Sequence, residues 1–183
     1  MSTFEFSVSP EEQHYLRELV QQSILTRLEN REDSIPEPPT DRMRESLGAF
    51  VTLKKQGHLR GCIGNVQGSG PLFRTVWNMA RAAAFEDPRF PPLSRAEFDE
   101  LSLEISILSP ISECPDVNRI EVGRHGLIMS DGMRSGLLLP QVPVEWQWDR
   151  ETFLTQTCNK AGLPPDAWKK PSTTILWFEA VVL

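Results

Sequence analysis

Between Leu101 and Ile107 the chain alternates without exception. Leu101, Leu103, Ile105 and Ile107 are separated by Ser102, Glu104 and Ser106. A period of two over this length makes a strand with one packed face and one polar face. It commits the chain to a strand that is covered on one side and polar on the other. Leu47–Lys54 and Gly57–Ile63 read as two further strands around a turn at Lys55–Gly57. Gly126–Ser130 and Arg134–Leu139 flank a hairpin turn at Asp131-Gly132-Met133, and Thr174 to Val182 closes the chain with another alternating run.

Helices are marked by their ends. Ser9, Pro10 and Glu12 spell a capping box with proline at the first helical position, ahead of Leu16, Leu19, Val20, Ile24 and Leu28 on one face. After the glycine-rich stretch Gly64–Gly70, which is expected to be irregular, Pro71 opens a helix carrying Leu72, Val76, Met79, Ala80 and Ala83. Asp87-Pro88 ends it, because the residue before proline avoids the α region. Ser94 and Glu97 cap a short helix, Asp149 caps a later one, and Gly162 stands at its left-handed end. Trp146 and Trp148 are expected to serve packing.

The fold class is therefore α+β, with helices flanking a sheet. Each half runs strands, helix, Pro-Pro corner, strand, and the corner prolines Pro91 and Pro164 lie 73 positions apart. This order suggests two subdomains built from an internal repeat, with a cleft between them. The whole of residues 1–183 is expected to be a single domain: an N-terminal helix and loop over 1–46, a first half over 47–110 and a second half over 120–183. A chain of this length buries a core without staples.

Charge and cysteine content exclude several classes. A formal net charge of -6 disfavours nucleic acid, and no basic block is present to hold an anionic membrane. Cys62, Cys114 and Cys158 are odd in number, widely spaced and contain no CxxC pair, so neither a disulfide framework nor a zinc site is expected. Neither a signal peptide nor an apolar run of bilayer length is legible, and the expectation is a cytoplasmic protein without metal or cofactor.

Gly61-Cys62-Ile63-Gly64 sets one polarizable side chain between two glycines. Unshielded amides there can cradle an anion or a developing oxyanion, and Arg60 can favour a thiolate if its side chain turns the same way. The same residues can equally be a small hydrophobe in a turn. His125 can act as base for Cys62 or bond a turn carbonyl. Arg89 can pair with Asp87 to hold its corner, or clamp a carboxylate or phosphate. Glu104 lies on the polar strand face, directed to the cleft or to solvent.

Leu59–Gly64, Ala84–Leu93, Leu103–Pro110, Gly123–Ile128, Gly136–Val142 and Phe153–Trp168 together resemble the AMMECR family, named from the Alport syndrome and elliptocytosis chromosomal region. Leu-Arg-Gly-Cys-Ile-Gly is the most specific stretch, and Asp-Pro-Arg-Phe-Pro-Pro and Gly-Leu-Leu-Leu-Pro-Gln-Val follow in the same order. One departure is Pro143, where relatives often carry alanine. The resemblance implies an α+β fold with a largely antiparallel sheet, flanking helices and a cleft between subdomains, and places Arg60, Gly61, Cys62 and Gly64 in a signature site. It also implies a pathway shared with a radical S-adenosylmethionine (radical SAM) protein and a Memo-like protein. Three functions are consistent with these residues. The first is an accessory component that binds a small, anionic ligand through Arg60, Gly61, Gly64, Arg89 and Glu104. The second is a cysteine-dependent enzyme using Cys62 and His125, and the third is a structural or protein-interaction module.

Overall fold

The computed structural model describes residues 7–183. Its chain divides into two compact units, one of residues up to Leu108 together with Val181–Leu183, the other Ser109–Ala180.

The first unit begins with α1 (Pro10–Leu28). Ser9 accepts the Glu12 amide and Glu12 accepts the Ser9 amide, so the capping box closes as its sequence requires. Leu16, Leu19, Val20 and Ile24 face inward with almost no exposure. The helix thus belongs to this unit's core rather than standing apart from it. The following loop is tied back where the Tyr15 hydroxyl donates to the Pro36 carbonyl at 2.8 Å.

β1 (Gly48–Lys55) and β2 (His58–Asn65) form an antiparallel hairpin. Its turn uses Gln56 and Gly57, both at positive φ. α2 (Leu72–Phe85) follows, then the short α3 (Arg95–Phe98), whose cap pairs Ser94 with Glu97. β3 (Leu101–Leu108) lies antiparallel to β1, which is therefore central, in the order β2-β1-β3. Ile105 and Leu183 exchange backbone hydrogen bonds at the far edge of β3.

β2 extends further than the glycine content of 64–70 implied: Gly64 is inside the strand, opposite Phe50. A Cβ at Gly64 would stand 2.2 Å from the Phe50 ring, so the glycine gives room to a cross-strand aromatic instead of ending the strand.

The second unit has β4 (Ser112–Glu113), β5 (His125–Ser130), β6 (Ser135–Leu138), α4 (Gln141–Glu145), α5 (Arg150–Lys160) and β7 (Thr174–Val182), the last two residues of β7 counting with the first unit. β5 is central, in the order β6-β5-β7, with β4 on the other side of β7. Each unit therefore places the first strand of its hairpin between the second strand and the strand that follows the helices. Phe153, Leu154 and Cys158 of α5 pack over Leu127 and Met129 of β5. Gly132 in the hairpin turn and Gly162 after α5 both take positive φ.

Pro143 sits in the first turn of α4, where a missing N–H breaks no helical bond, and it is buried. The two tryptophans divide. Trp148 packs against the second unit's core, whereas Trp146 is 68 % exposed. Gln147 between them has φ 55°, and the two rings stack with centres 6.2 Å apart, so Trp146 packs on Trp148.

Candidate functional site

The pairing of β1 with β2 slips between Leu53 and Lys54: Leu53 faces Gly61, Lys54 faces Leu59, and Arg60 is the extra residue of a β-bulge. Bulges re-aim side chains. Arg60 is consequently turned away from the alternation of its strand and buried. Its Nε and Nη2 donate to the two Glu97 oxygens at 2.9 and 3.2 Å, and Nη2 also donates to the Pro91 carbonyl at 2.9 Å. The guanidinium carbon stands 5.8 Å from the Phe90 ring centre. Its Nη1 is buried with no hydrogen-bond partner among the described residues. Arg60 thus fastens α3 and the 87–91 corner to β2.

Arg60 and the Ser94 amide hold the Glu97 carboxyl down at about 2, against burial. A depressed carboxyl stabilises the fold above its unfolded value and loses that contribution as pH falls toward the folded one. The Arg60–Glu97 contribution is therefore expected to disappear between about pH 4.5 and pH 2. Urea titrations at pH 6 and pH 3 should show a smaller acid loss in Glu97→Gln than in the native chain. Equal losses would mean that the pair adds no pH-dependent stability.

Gly61 faces α2. A Cβ there would meet the Ala83 carbonyl oxygen at 2.0 Å, so the strand and helix backbones touch where neither has a bulky side chain. Cys62 then points to the opposite face, half-buried, beside Thr52 on β1. The Thr52 hydroxyl lies 3.2 Å from the Cys62 sulfur and donates to it. The same row continues to Glu104 on β3, opposite Thr52. Glu104 is half-buried, with Lys54 3.4 Å away.

Because β2 is the outer strand of this unit's order, the Cys62 backbone needs partners from elsewhere. The loop after α2 supplies them. The Cys62 N–H donates to Asp87 Oδ2 at 2.9 Å, and Arg89 Nη2 donates to the Cys62 carbonyl at 3.2 Å. Asp87 also takes the Arg89 amide, Nε and Nη2 at 3.1, 2.9 and 2.7 Å. Asp87 and Arg89 together mimic a neighbouring strand. The amide of Cys62 does hold an anion, and that anion is the chain's own carboxylate. The Arg89 fork beside it drives the Asp87 carboxyl far below the usual range although the side chain is only 2 % exposed. The Arg89 side chain is 53 % exposed, and its Nη1 makes no hydrogen bond among the described residues.

His125 lies at the start of β5, buried and stacked on Trp177 with ring centres 4.4 Å apart. Its Nδ1 accepts the Glu121 amide at 2.9 Å, and burial, then Arg124, push its pKa below the ordinary value. The neutral ring therefore carries its proton on Nε2, with its one lone pair already engaged. Burial pushes the thiols of Cys114 and Cys158 up. Among the described residues, no group of three or more His, Cys, Asp or Glu is placed to hold a metal ion. No described helix is long and apolar enough to cross a membrane.

The family model described as AMMECR1 matches residues 17–183. The chain belongs to the AMMECR1 family. A Methanopyrus kandleri relative is 45 % identical over 181 residues, which covers 94 % of this chain and 87 % of that one. A Thermococcus kodakarensis relative is 48 % identical over 165 residues, covering 83 % and 80 %. The crystal structure of an uncharacterized Pyrococcus horikoshii protein superposes with a TM-score of 0.90 at 40 % identity, over 97 % of this chain and 93 % of that one. The AMMECR1 chain thus carries its Cys62 cluster on an α+β fold shared with that structure. Arg60's structural duty and Thr52's place beside the sulfur escaped the sequence: a bulge leaves no periodic signal, and Thr52 is one β-branched residue in a strand.

Proposed function

We propose that this AMMECR1-family chain is an accessory component that binds a small anionic ligand at Cys62 and Arg89, and works with a radical SAM protein and a Memo-like protein. The observation that carries the ligand site is Arg89. Asp87 fixes one edge of its guanidinium against the backbone of Cys62, whose thiol is half-buried, and the other edge, with Nη1, is left open. Nη2 spends both of its hydrogens on Asp87 and the Cys62 carbonyl, so the two N–H donors of Nη1 remain, pre-oriented, for a carboxylate or phosphate oxygen. Arg60, Gly61 and Gly64 contribute by building the strand and its corner, and Glu104 with Lys54 borders the site. The engaged lone pair of His125 supports the accessory reading over a Cys62–His125 nucleophile and base.

The test compares two alkylating probes on the folded chain, with labelling mapped to each cysteine. In both, the Cys62 thiolate forms an S–C bond and iodide leaves. Iodoacetate carries a carboxylate and iodoacetamide does not. Relative to the urea-unfolded chain, Cys62 is expected to favour iodoacetate by about threefold or more, through the local positive field. Arg89→Gln should lose the preference and Arg89→Lys should keep part of it. No preference in the native chain would sink the anionic site. Gel filtration of the chain with purified radical SAM and Memo-like proteins tests the partnership, and separate elution at micromolar concentration would count against it.

The cysteine-dependent enzyme has one observation in its favour, the hydroxyl donated to the Cys62 sulfur. It predicts a turnover that Cys62→Ala abolishes, rather than stoichiometric binding.

A further inference from the structure

Resting on the reading of Cys62 as a ligand-contacting thiol, we propose that Thr52 is its positioning residue, holding the sulfur as a hydrogen-bond acceptor turned toward the ligand.

The argument starts from register. Thr52 is opposite Cys62 on one side and Glu104 on the other, so the three side chains form one row across β2, β1 and β3 on the same face. Thr52 is buried, 8 % exposed, and its β-branched side chain has a restricted χ1 in a strand. Its hydroxyl oxygen therefore has a fixed place, 3.2 Å from the sulfur. A hydroxyl aimed at sulfur engages a sulfur lone pair and fixes where the sulfur sits.

Charged groups surround this pair from each neighbouring element. Lys54 lies on β1 and Glu104 on β3, paired with each other. Asp87 and Arg89 lie on the loop after α2, also paired. Arg60 of the same strand is turned to Glu97. Each of these charges has an opposite partner close by. The group that contacts the sulfur itself is the hydroxyl of Thr52. A carboxylate or cation could vary with its own surroundings, whereas a neutral hydroxyl keeps its effect across the physiological pH range.

The experiment is the pH profile of Cys62 alkylation by iodoacetamide in the native chain, Thr52→Val and Thr52→Ser. Valine keeps the shape and the strand preference of threonine, so folding is preserved, and thermal unfolding of each variant verifies this. Loss of the one hydrogen bond to the sulfur is expected to slow alkylation of Cys62 in Thr52→Val by about three- to tenfold at pH 7. Thr52→Ser should return the profile to that of the native chain. A purely structural role would change the unfolding midpoint and leave the profile in place. A Thr52→Val rate equal to the native one, with a reactive Cys62, overturns the role of Thr52 and leaves the ligand site standing. A Cys62 that reacts in the native chain only on unfolding removes the reading beneath it as well.

Discussion

Gly61→Ala is expected to destabilise the first unit by about 3 kcal/mol or more. Its Cβ would stand 2.0 Å from the Ala83 carbonyl oxygen and 3.0 Å from the carbonyl carbon, both backbone atoms of α2. No rotamer change relieves such a contact. The helix must move off the strand, and Val76, Ala80 and Ala83, now almost wholly buried, lose their packing. Gly70→Ala is the control, because its Cβ would meet nothing within 4 Å. Urea unfolding followed by circular dichroism should separate the two by most of that amount, with Gly70→Ala within about 0.5 kcal/mol of the native chain. A Gly61→Ala variant as stable as the control would show that the backbones do not touch. The glycine would then be free for the ligand-facing role that its sequence context suggests.

Asp87→Ala is the second large effect, about 3 kcal/mol, and it carries a pH signature. The carboxylate satisfies the Cys62 amide, the Arg89 amide and two donors of the Arg89 guanidinium. Without it a buried strand amide loses its acceptor and Arg89 loses the anchor that aims it. Because the Asp87 carboxyl is held below its ordinary value, its contribution is complete above about pH 4 and is lost as pH falls through the folded value. The gap between native chain and variant should therefore narrow on going from pH 7 to pH 2.5, read from urea midpoints at each pH. A gap of constant size would mean that Asp87 acts through shape and not through its charge. The variant should also lose the iodoacetate preference of Cys62, since an unanchored Arg89 no longer presents its fork there.

These two residues mark where sequence reading stops. Gly61 and Gly64 stand out as a pair around Cys62, and their spacing reads naturally as an open cradle. In the fold both are needed for close approach, one to a helix backbone and one to the Phe50 ring. Arg60 and Arg89 are equally plausible clamps on paper. Only the bulge at Arg60, a register event between two strands, sends one guanidinium into the Glu97 corner and leaves the other at the edge. Asp87 reads as a helix stop before proline. That it reaches back to the Cys62 amide depends on where α2 sets down the loop.

What the linear chain determined by itself is everything governed by local period and capping. The alternating strand at β3, the Ser9–Glu12 and Ser94–Glu97 caps, the positive-φ glycines at 132 and 162, and the α+β class follow from interactions within a few residues, which the sequence lists in order. The tertiary structure decided the direction of Arg60, the partners of the Cys62 backbone, the hydroxyl of Thr52 at the sulfur and the engaged lone pair of His125. Each of these depends on register or on a contact between residues distant in the chain, and neighbours in sequence carry no signal of that pairing.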